Sequence, residues 1–249
     1  MHRFFIPPEE CHNTPLRLGE AEAKHARSVL RLREGDRVVV LNGAGKEFLC
    51  QADEVRSDST TLKIIQENSI APLPFEITLY QAVTKGKTMD LIIQKATELG
   101  AHRVVPVLSE RSVPDWDEAK ASAKVEKWRS ACIESIKQCG SAWLPTLEMP
   151  MTPSAAIEDA RGAEVSLIAT LQSDAKHPRT HIDGYEAENG QAPKKLAIWV
   201  GPEGDYTPAE INQIRGSALP ITLGPLVLRS ETAAIYCLAF LNYELQSRP

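Results

Sequence analysis

The sequence predicts an α/β protein in two parts: a small β-barrel domain in residues 1–72, then a mainly parallel sheet flanked by helices in residues 73–249. Residues 1–70 contain several short strand patterns and little helix, which favours a barrel. From Ile77 onward, apolar strand runs alternate with helical stripes, as is typical of a parallel sheet covered on both faces. Residues 71–74 contain two prolines and predict a linker.

The elements of the first part follow from strand and turn signals. Arg37–Leu41 and residues 47–52 predict the two strands of a hairpin, because the turn formers Asn, Gly and Gly occur in residues 42–45 between them. Residues 60–65 predict a further strand. One short helix is expected over residues 20–30.

In the second part, helical stripes predict two helices that end at Gly100 and Gly140, since glycine suits the left-handed position after a helix. A capping box at residues 207–210 begins a third helix, and Ser230 is expected to cap the last one. That last helix is apolar on most sides, which predicts burial. The polar segment 173–195 is expected to be a mobile loop. Strands are predicted at residues 77–83, 103–108, 165–169, 196–200 and 221–223.

The strand at residues 103–108 contains Pro106. Proline has no N–H to donate to a strand ladder, so this strand is expected at a sheet edge or beside a bulge.

Composition narrows the function classes. The net charge of −5 argues against a bulk nucleic-acid binder, and no apolar run approaches the roughly 18 residues of a membrane span. The five cysteines are scattered and form neither a CxxC pair nor a zinc-binding spacing. We therefore expect a reduced, cytoplasmic protein without a metal site.

Positive charge is concentrated between residues 24 and 37, where only Glu34 and Asp36 are acidic. Such a run is compatible with a solvated helix face, and it becomes informative only if another feature requires a polyanion. The basic residues are Lys24, Arg27, Arg31, Arg33 and Arg37, with His25 among them.

Two segments near the C-terminus are built alike. Ligands bind beyond the carboxyl ends of parallel strands, and glycine lets the backbone approach a ligand closely. Either loop alone could be a structural turn, and neither has dinucleotide-binding or P-loop spacing. Together they predict one shared pocket. Each segment predicts a buried strand, a glycine-bearing loop and a helix: Leu196-Ala-Ile-Trp-Val-Gly-Pro-Glu-Gly204 and Leu223-Gly-Pro-Leu-Val-Leu-Arg-Ser-Glu-Thr-Ala-Ala234.

The second segment brings polar groups to the start of the last helix. Arg229, Glu231 and Thr232 place a guanidinium, a carboxylate and a hydroxyl near free backbone N–H groups and the positive end of a helix dipole. Arg229 could bind a ligand or clamp loop carbonyls. Lys85 and Lys87, beyond the first strand of the second part, could likewise face a ligand or be solvated.

Several motifs occur together and in order: Lys85-Gly-x-x-Met-Asp90, Gln94-Lys-Ala-Thr-Glu-Leu-Gly100, Ser109-Glu-Arg111, Gln138-Cys-Gly140, Gly201-Pro-Glu-Gly204 and Leu223-Gly-Pro-x-Val-Leu-Arg-x-Glu-Thr-Ala233. With them, the chain resembles the RsmE family, SPOUT-class methyltransferases that modify N3 of a uridine in bacterial 16S ribosomal RNA. The resemblance covers nearly the whole second part, and the first part fits the family's PUA-like β-barrel less distinctively.

The resemblance implies a trefoil-knotted catalytic domain, one of the few exceptions to unknotted topology. It also implies a homodimer that takes S-adenosylmethionine as cofactor and needs no metal, because the donor carries its own leaving group. The implied cofactor-binding residues are Thr170, Leu171, Gln172, Val200, Gly201, Pro202, Glu203, Gly204, Leu223, Gly224, Val227 and Leu228.

The same resemblance suggests roles in catalysis and RNA binding. A cation against the uracil carbonyls would stabilise the anion that forms when N3 loses its proton. Arg229 is the candidate, with Glu231 or Thr232 orienting it. The candidates for RNA phosphate contacts are Arg3, Lys24, His25, Arg27, Arg31, Arg33 and Lys85.

Three positions depart from the family pattern: Asp205 and Leu226 stand where a glycine and a basic residue are common, and Ser141 stands where arginine often follows Cys-Gly. Two alternatives remain. A SPOUT enzyme that methylates the ribose 2′-OH would lack the Lys85–Gly100 motifs, and a non-catalytic RNA-binding protein would lose the pocket.

Overall fold

The computed structural model describes residues 1–12, 14–56, 58–112 and 116–248. By their contacts these residues form two compact units. The first consists of Met1–Pro72 and Ile133–Leu144, and the second consists of Leu73–Cys132 and Pro145–Pro249.

The first unit contains a five-stranded mixed sheet in the order β1-β3-β4-β5-β2. β1 and β3 pair in parallel and the other pairs are antiparallel. The sheet is curled into a half-barrel, and no pairing between β1 and β2 is found among the described residues. The small β-barrel domain predicted for this part is confirmed in this form. The elements are β1 (His2–Phe5), β2 (Leu16–Leu18), α1 (Glu20–Ser28), β3 (Arg37–Leu41), β4 (Lys46–Val55) and β5 (Thr60–Ser69).

The predicted hairpin is formed by β3 and β4, with Leu41 opposite Glu47. Gly43 and Gly45 have φ of +72° and +87°, which explains two glycines so close together. The Asn42 side-chain oxygen accepts hydrogen bonds from the backbone of Ala44 (2.8 Å) and Lys46 (2.9 Å), which fixes the turn.

The second unit contains a six-stranded sheet in the order β11-β9-β10-β6-β7-β8, in which every strand pair is parallel. The predicted parallel α/β class is therefore confirmed. The strands are β6 (Glu76–Ala82), β7 (Arg103–Val107), β8 (Thr146–Leu147), β9 (Val165–Ala169), β10 (Lys195–Val200) and β11 (Leu219–Ile221). The helices of this unit are α2 (Thr88–Glu98), α4 (Pro153–Asp159), α5 (Pro178–Asn189), α6 (Pro208–Arg215) and α7 (Ser230–Gln246). A further helix, α3 (Glu118–Cys139), begins in this unit, and its residues from Ile133 onward belong to the first unit.

The segment expected to be a mobile loop contains α5, so that expectation is wrong. The His177 ring accepts a hydrogen bond from the backbone of Arg179 (3.3 Å), Pro178 occupies the first turn, and Gly190 ends the helix at φ +72°. The polar composition of this segment led to the loop prediction, although a proline at the start and a glycine at the end were signals for a helix.

Two strand predictions also need correction. β11 lies at Leu219–Ile221, before the predicted 221–223. β7 is not an edge strand, because it pairs with β6 on one side and β8 on the other. Pro106 is tolerated because β8 pairs only with Arg103 and Val104, so Pro106 lies beyond that ladder.

The trefoil knot implied by the resemblance stays a prediction, because strand order and register do not determine how the loops thread. Within the described ranges, none of the helices has both the length and the apolar character to cross a membrane.

Candidate active site

The strand order brings the two glycine-bearing segments together. β9 lies between β11 and β10, so the carboxyl ends of these three strands are neighbours. Three loops follow them: the middle loop (residues 170–172), the first loop (residues 201–206) and the second loop (residues 222–228). They surround one cavity of about 290 Å³.

This cavity is lined by all the predicted cofactor-binding residues except Gly204. The middle loop contributes Thr170, Leu171 and Gln172; the end of β10 and the first loop contribute Val200, Gly201, Pro202 and Glu203; the second loop contributes Leu223, Gly224, Val227 and Leu228. Ala169, Asp205, Thr222, Pro225, Leu226, Ser230 and Ala233 also line it, although the sequence did not single them out for cofactor binding.

The first loop is a tight turn. The backbone N–H of Asp205 donates to the carbonyl of Pro202 (2.9 Å), and the buried Tyr206 hydroxyl donates to the carbonyl of Val200 (3.3 Å). A Cβ on Gly201 would lie 2.8 Å from Asp205 Oδ1 and 3.3 Å from the Asp205 Cα atom. Glycine is therefore required at 201 because the loop folds back upon it.

Gly204 faces away from the cavity lining and toward Arg111. The Arg111 guanidinium donates to the carbonyls of Gly204 (2.6 Å) and Tyr206 (3.5 Å). The buried carboxylate of Glu210 accepts a hydrogen bond from the backbone of Glu110 (2.8 Å). The Ser109-Glu-Arg111 motif thus supports the first loop from outside the pocket.

The second loop has fewer restraints. At its first residue the backbone N–H of Thr222 donates to the carbonyl of Lys176 (3.0 Å). Beyond that the hydrogen bonds are local: Gly224 N–H donates to the Thr222 hydroxyl (3.2 Å), and that hydroxyl lies 3.4 Å from the Gly224 carbonyl. Gly224 has a φ of +108°, where L side chains are strained. Leu226 and Val227 are 73% and 77% exposed, so this wall presents apolar side chains.

A buried hydrogen-bond chain joins the start of α7 to the first loop. The Ser230 hydroxyl donates to the carbonyl of Gly201 (2.6 Å), and Gln81 Nε2 donates to Ser230 Oγ (3.0 Å). The expectation that Ser230 caps α7 is therefore wrong: Arg229 is the N-cap residue, and no side chain caps the helix there. The sequence analysis did not identify Gln81 as a site residue. Its buried amide inside the otherwise apolar run of β6 is the signal that could have identified it.

Arg229, Glu231 and Thr232 lie at the beginning of α7, beside the cavity residues Ser230 and Ala233. Arg229 and Thr232 are exposed and Glu231 is half-buried. Within the part of the chain that the structure describes, none of these side chains makes a hydrogen bond or ion pair. The orienting role of Glu231 or Thr232 stays a prediction. Among the described residues Arg229 donates to no loop carbonyl, so the alternative role of clamping a loop finds no support.

The cavity wall is anionic. Glu203 and Asp205 line it, and no lysine, arginine or histidine of the described ranges does. Burial raises the pKa of Asp205 above its ordinary value, and the Tyr206 N–H and the nearby Arg111 oppose that shift. The backbone N–H of Lys85 lies 3.4 Å from Glu203 Oε1, which brings the Lys85 loop to the first loop.

The predicted RNA-binding residues divide into two groups. Within the described residues, the exposed side chains of the α1 segment make no ion pair; they are Lys24, His25, Arg27, Arg31 and Arg33. In the second unit, the side chain of Lys85 is also exposed and makes no ion pair with the described residues. Arg3 differs, because its Nη1 donates to the carbonyls of Lys137 (3.2 Å) and Gln138 (3.1 Å) at the end of α3. Its predicted phosphate contact would have to use its other N–H groups.

Ser141, the third departure from the family pattern, has a local structural role. Its hydroxyl donates to the carbonyl of Trp143 (2.9 Å), which stabilises a turn. Among the residues covered by the structure, no group of three or more His, Cys, Asp or Glu side chains is arranged to hold a metal ion.

Comparison with known proteins agrees with this geometry. Residues 71–242 match the family model of an RNA methyltransferase domain, and residues 18–52 match that of an RNA methyltransferase PUA domain. The ribosomal RNA small subunit methyltransferase E of Aquifex aeolicus is 30% identical over 97% of this chain and 99% of its own length.

Two solved structures are similar over 98% of both chains. One, from Legionella pneumophila and in complex with the cofactor S-adenosylmethionine, has 30% identity and a TM-score of 0.87. The other is a ribosomal RNA small subunit methyltransferase E from Neisseria gonorrhoeae bound to S-adenosylmethionine, with 25% identity and a TM-score of 0.84. Since the methyltransferase model spans most of the sequence and these relatives match from end to end, the chain belongs to the RsmE family of RNA methyltransferases.

Proposed function

We propose that this protein transfers a methyl group from S-adenosylmethionine to N3 of a uridine in 16S ribosomal RNA, in the cytoplasm. The observation that carries the proposal is the single cavity surrounded by the middle, first and second loops. It is supported by the S-adenosylmethionine-bound relatives of the same fold and by the names of the curated relatives.

The charge of the cavity suits the cofactor. Its volume of about 290 Å³ lies just below the range of about 300–1,000 Å³ typical of small-molecule sites. S-adenosylmethionine carries a sulfonium, an ammonium and a carboxylate group, so it is a net cation. Among the described residues, the lining offers Glu203 and Asp205 without a competing cation. When bound, the cofactor supplies a methyl group activated by its attachment to a positively charged sulfur.

The chain's own task is to prepare the acceptor nitrogen and align it. Uridine N3 carries a proton and is a poor nucleophile until that proton leaves. Arg229 precedes the cavity residue Ser230 and has no hydrogen-bond or ion-pair partner among the described residues. Its guanidinium would donate to the uracil carbonyls and stabilise the anion as N3 loses its proton. The helix dipole of α7 acts in the same direction.

We infer that residues 1–72 bind RNA and residues 73–249 carry out methyl transfer. The free cations of the α1 segment provide positive charge on a protein whose net charge is −5. Phosphate contacts of this kind weaken with salt. Replacing Arg27 and Arg31 together with alanine should lower RNA affinity and reduce its salt dependence.

We also propose that the protein is a homodimer that pairs through α7. Tyr236 and Tyr243 lie seven residues apart on this helix and are 47% and 73% exposed. Seven residues span about two helical turns, so both tyrosines lie on one face. Light scattering should show a monomer for Tyr243→Asp if this face is the interface, and a dimer of unchanged affinity would contradict it.

The decisive experiment is in vitro methylation of unmodified small subunits, followed by mass spectrometry of the digested nucleosides. We expect 3-methyluridine. Detection of a 2′-O-methylated nucleoside instead would favour the ribose methyltransferase, and no product despite RNA binding would favour a non-catalytic protein.

Arg229→Ala should lower kcat by on the order of a hundredfold, since the loss of one donor to a developing anion has effects of this size. Its affinity for S-adenosylmethionine should stay unchanged, and Arg229→Lys should restore part of the rate. Full activity of Arg229→Ala would exclude the assigned role.

A further inference from the structure

Asp205 has an unusual backbone conformation. Its φ is +58°, in the left-handed region, where glycine is favoured but Asp is tolerated better than most other residues. A glycine, which the family resemblance leads us to expect here, would adopt this conformation without strain, and aspartate is among the other residues that tolerate it best.

The carboxylate of Asp205 is held against the cavity. Oδ1 accepts a hydrogen bond from the backbone N–H of Tyr206 (2.8 Å), and a Cβ on Gly201 would lie at the same distance from it. In the described part of the chain, Oδ2 has neither a hydrogen bond nor an ion pair. A half-buried carboxylate with one unpartnered oxygen therefore lies in the wall of the pocket.

The surroundings do not neutralise this charge. Arg111 is the nearby cation, but its Nη1 is directed to the Gly204 carbonyl (2.6 Å) and it forms no ion pair with Asp205. Glu203, in the same wall, adds negative charge. Burial without a counterion raises the pKa of Asp205, so a cation entering the cavity would be attracted.

We propose that Asp205 makes this pocket discriminate by charge, so that it binds the cationic methyl donor more tightly than the neutral thioether product. The inference rests on the proposed function. In the transfer, the methyl group forms a bond to N3, the carbon–sulfur bond breaks with its electrons left on sulfur, and the N3 proton goes to solvent. The ligand therefore loses its sulfonium charge, and with it the attraction to Asp205, which favours release of the product.

The test is calorimetric titration of the full-length protein with S-adenosylmethionine, with S-adenosylhomocysteine and with a non-reactive analogue that has a protonated amine in place of the sulfonium. Asp205→Asn keeps the shape, tolerates the left-handed backbone and removes the charge. Asp205→Gly removes the charge and the backbone strain. Glu188→Gln, at an exposed carboxylate of α5, is the control for net charge.

For both Asp205 variants we expect the preference for S-adenosylmethionine over S-adenosylhomocysteine to fall about tenfold, with the amine analogue weakened in parallel. Glu188→Gln should leave the ratio unchanged. An unchanged ratio in Asp205→Asn, with both ligands still bound, would overturn the assignment, as would a change confined to Asp205→Gly. If the wild-type protein bound neither ligand, the proposed function itself would fail, and this assignment with it.

Discussion

The first and second loops look alike in sequence but differ in how they are held. The first loop is fixed by its own turn and by Arg111 and Ser230, which donate to its carbonyls from other parts of the fold. The second loop is tied to another segment at its first residue, where the Thr222 N–H donates to the Lys176 carbonyl (3.0 Å). Beyond that residue its hydrogen bonds are local to Thr222 and Gly224, and its apolar side chains are exposed.

The contrast separates two ways of using glycine. Gly201 is needed because neighbouring atoms occupy the space of a side chain, whereas Gly224 is needed because of its φ and has open space around it. The first loop is thus an organised wall before any ligand binds. The second offers Leu226 and Val227, whose apolar surface a ligand could bury. Substitutions can test this difference.

The largest effect should come from Gly201→Ala. Its Cβ would lie 2.8 Å from Asp205 Oδ1 and 3.3 Å from backbone atoms, so the loop must open. Overpacking of about 1–3 kcal/mol corresponds to a loss of S-adenosylmethionine affinity up to on the order of a hundredfold. Titration calorimetry measures it, and Gly184→Ala, with open space around it, is the control. Unchanged affinity would mean that the first loop is not rigid.

Ser230→Ala should have the next largest effect. It deprives the Gly201 carbonyl of its donor and Gln81 Nε2 of an acceptor, both in a buried setting. The expected loss of stability is about 1–3 kcal/mol, with a lower Tm and a slower methyl transfer because Arg229 is adjacent. Ser122→Ala, at an exposed position of α3, is the matched control. Equal Tm values for the two variants would refute the link.

Gly224→Ala should weaken S-adenosylmethionine binding only a few-fold. Alanine is strained at a φ of +108°, which costs roughly 1–3 kcal/mol, but a loop with so few hydrogen bonds can relax part of that strain. The comparison with Gly201→Ala in the same titration decides the point. If Gly224→Ala were the more damaging substitution, the second loop would be the more restrained wall.

Leu226→Lys should leave Tm unchanged, because this side chain is 73% exposed in the folded protein. It introduces the basic side chain that the resemblance to the family leads us to expect at this position. RNA affinity should rise and the salt dependence should steepen by about one phosphate contact. Filter binding at several salt concentrations measures both, and Leu226→Gln controls for the loss of apolar surface. No change in the salt dependence would place the loop away from the RNA.

Strand periodicity and glycine placement predicted the elements that form the pocket. The strands predicted from the apolar runs at residues 165–169 and 196–200 were confirmed as β9 and β10. The loops beyond them meet because the carboxyl ends of parallel strands lie at one edge of the sheet. The Thr207 capping box was also predicted correctly, because both of its hydrogen bonds are local in sequence.

Features that depend on distant partners were missed. Ser230 was assigned a local capping role, but its hydroxyl bonds Gly201 across the fold. Gly204 belongs to the motif yet faces Arg111, which no spacing rule reveals. The position of Asp205 in the pocket wall likewise depends on the turn of the first loop, which the sequence alone did not define.

The grouping of Ile133–Leu144 with the first unit has a consequence for protein synthesis. This segment completes that unit through hydrogen bonds from Leu144 to the Gly43 carbonyl (2.9 Å), from Trp143 to the Ile70 carbonyl (3.0 Å) and from Gly45 to the Ala142 carbonyl (2.9 Å). A nascent chain that has emerged only to Pro72 lacks these partners. The N-terminal unit must therefore wait for residues made much later, and a fragment ended at Pro72 should be an incomplete substitute for it.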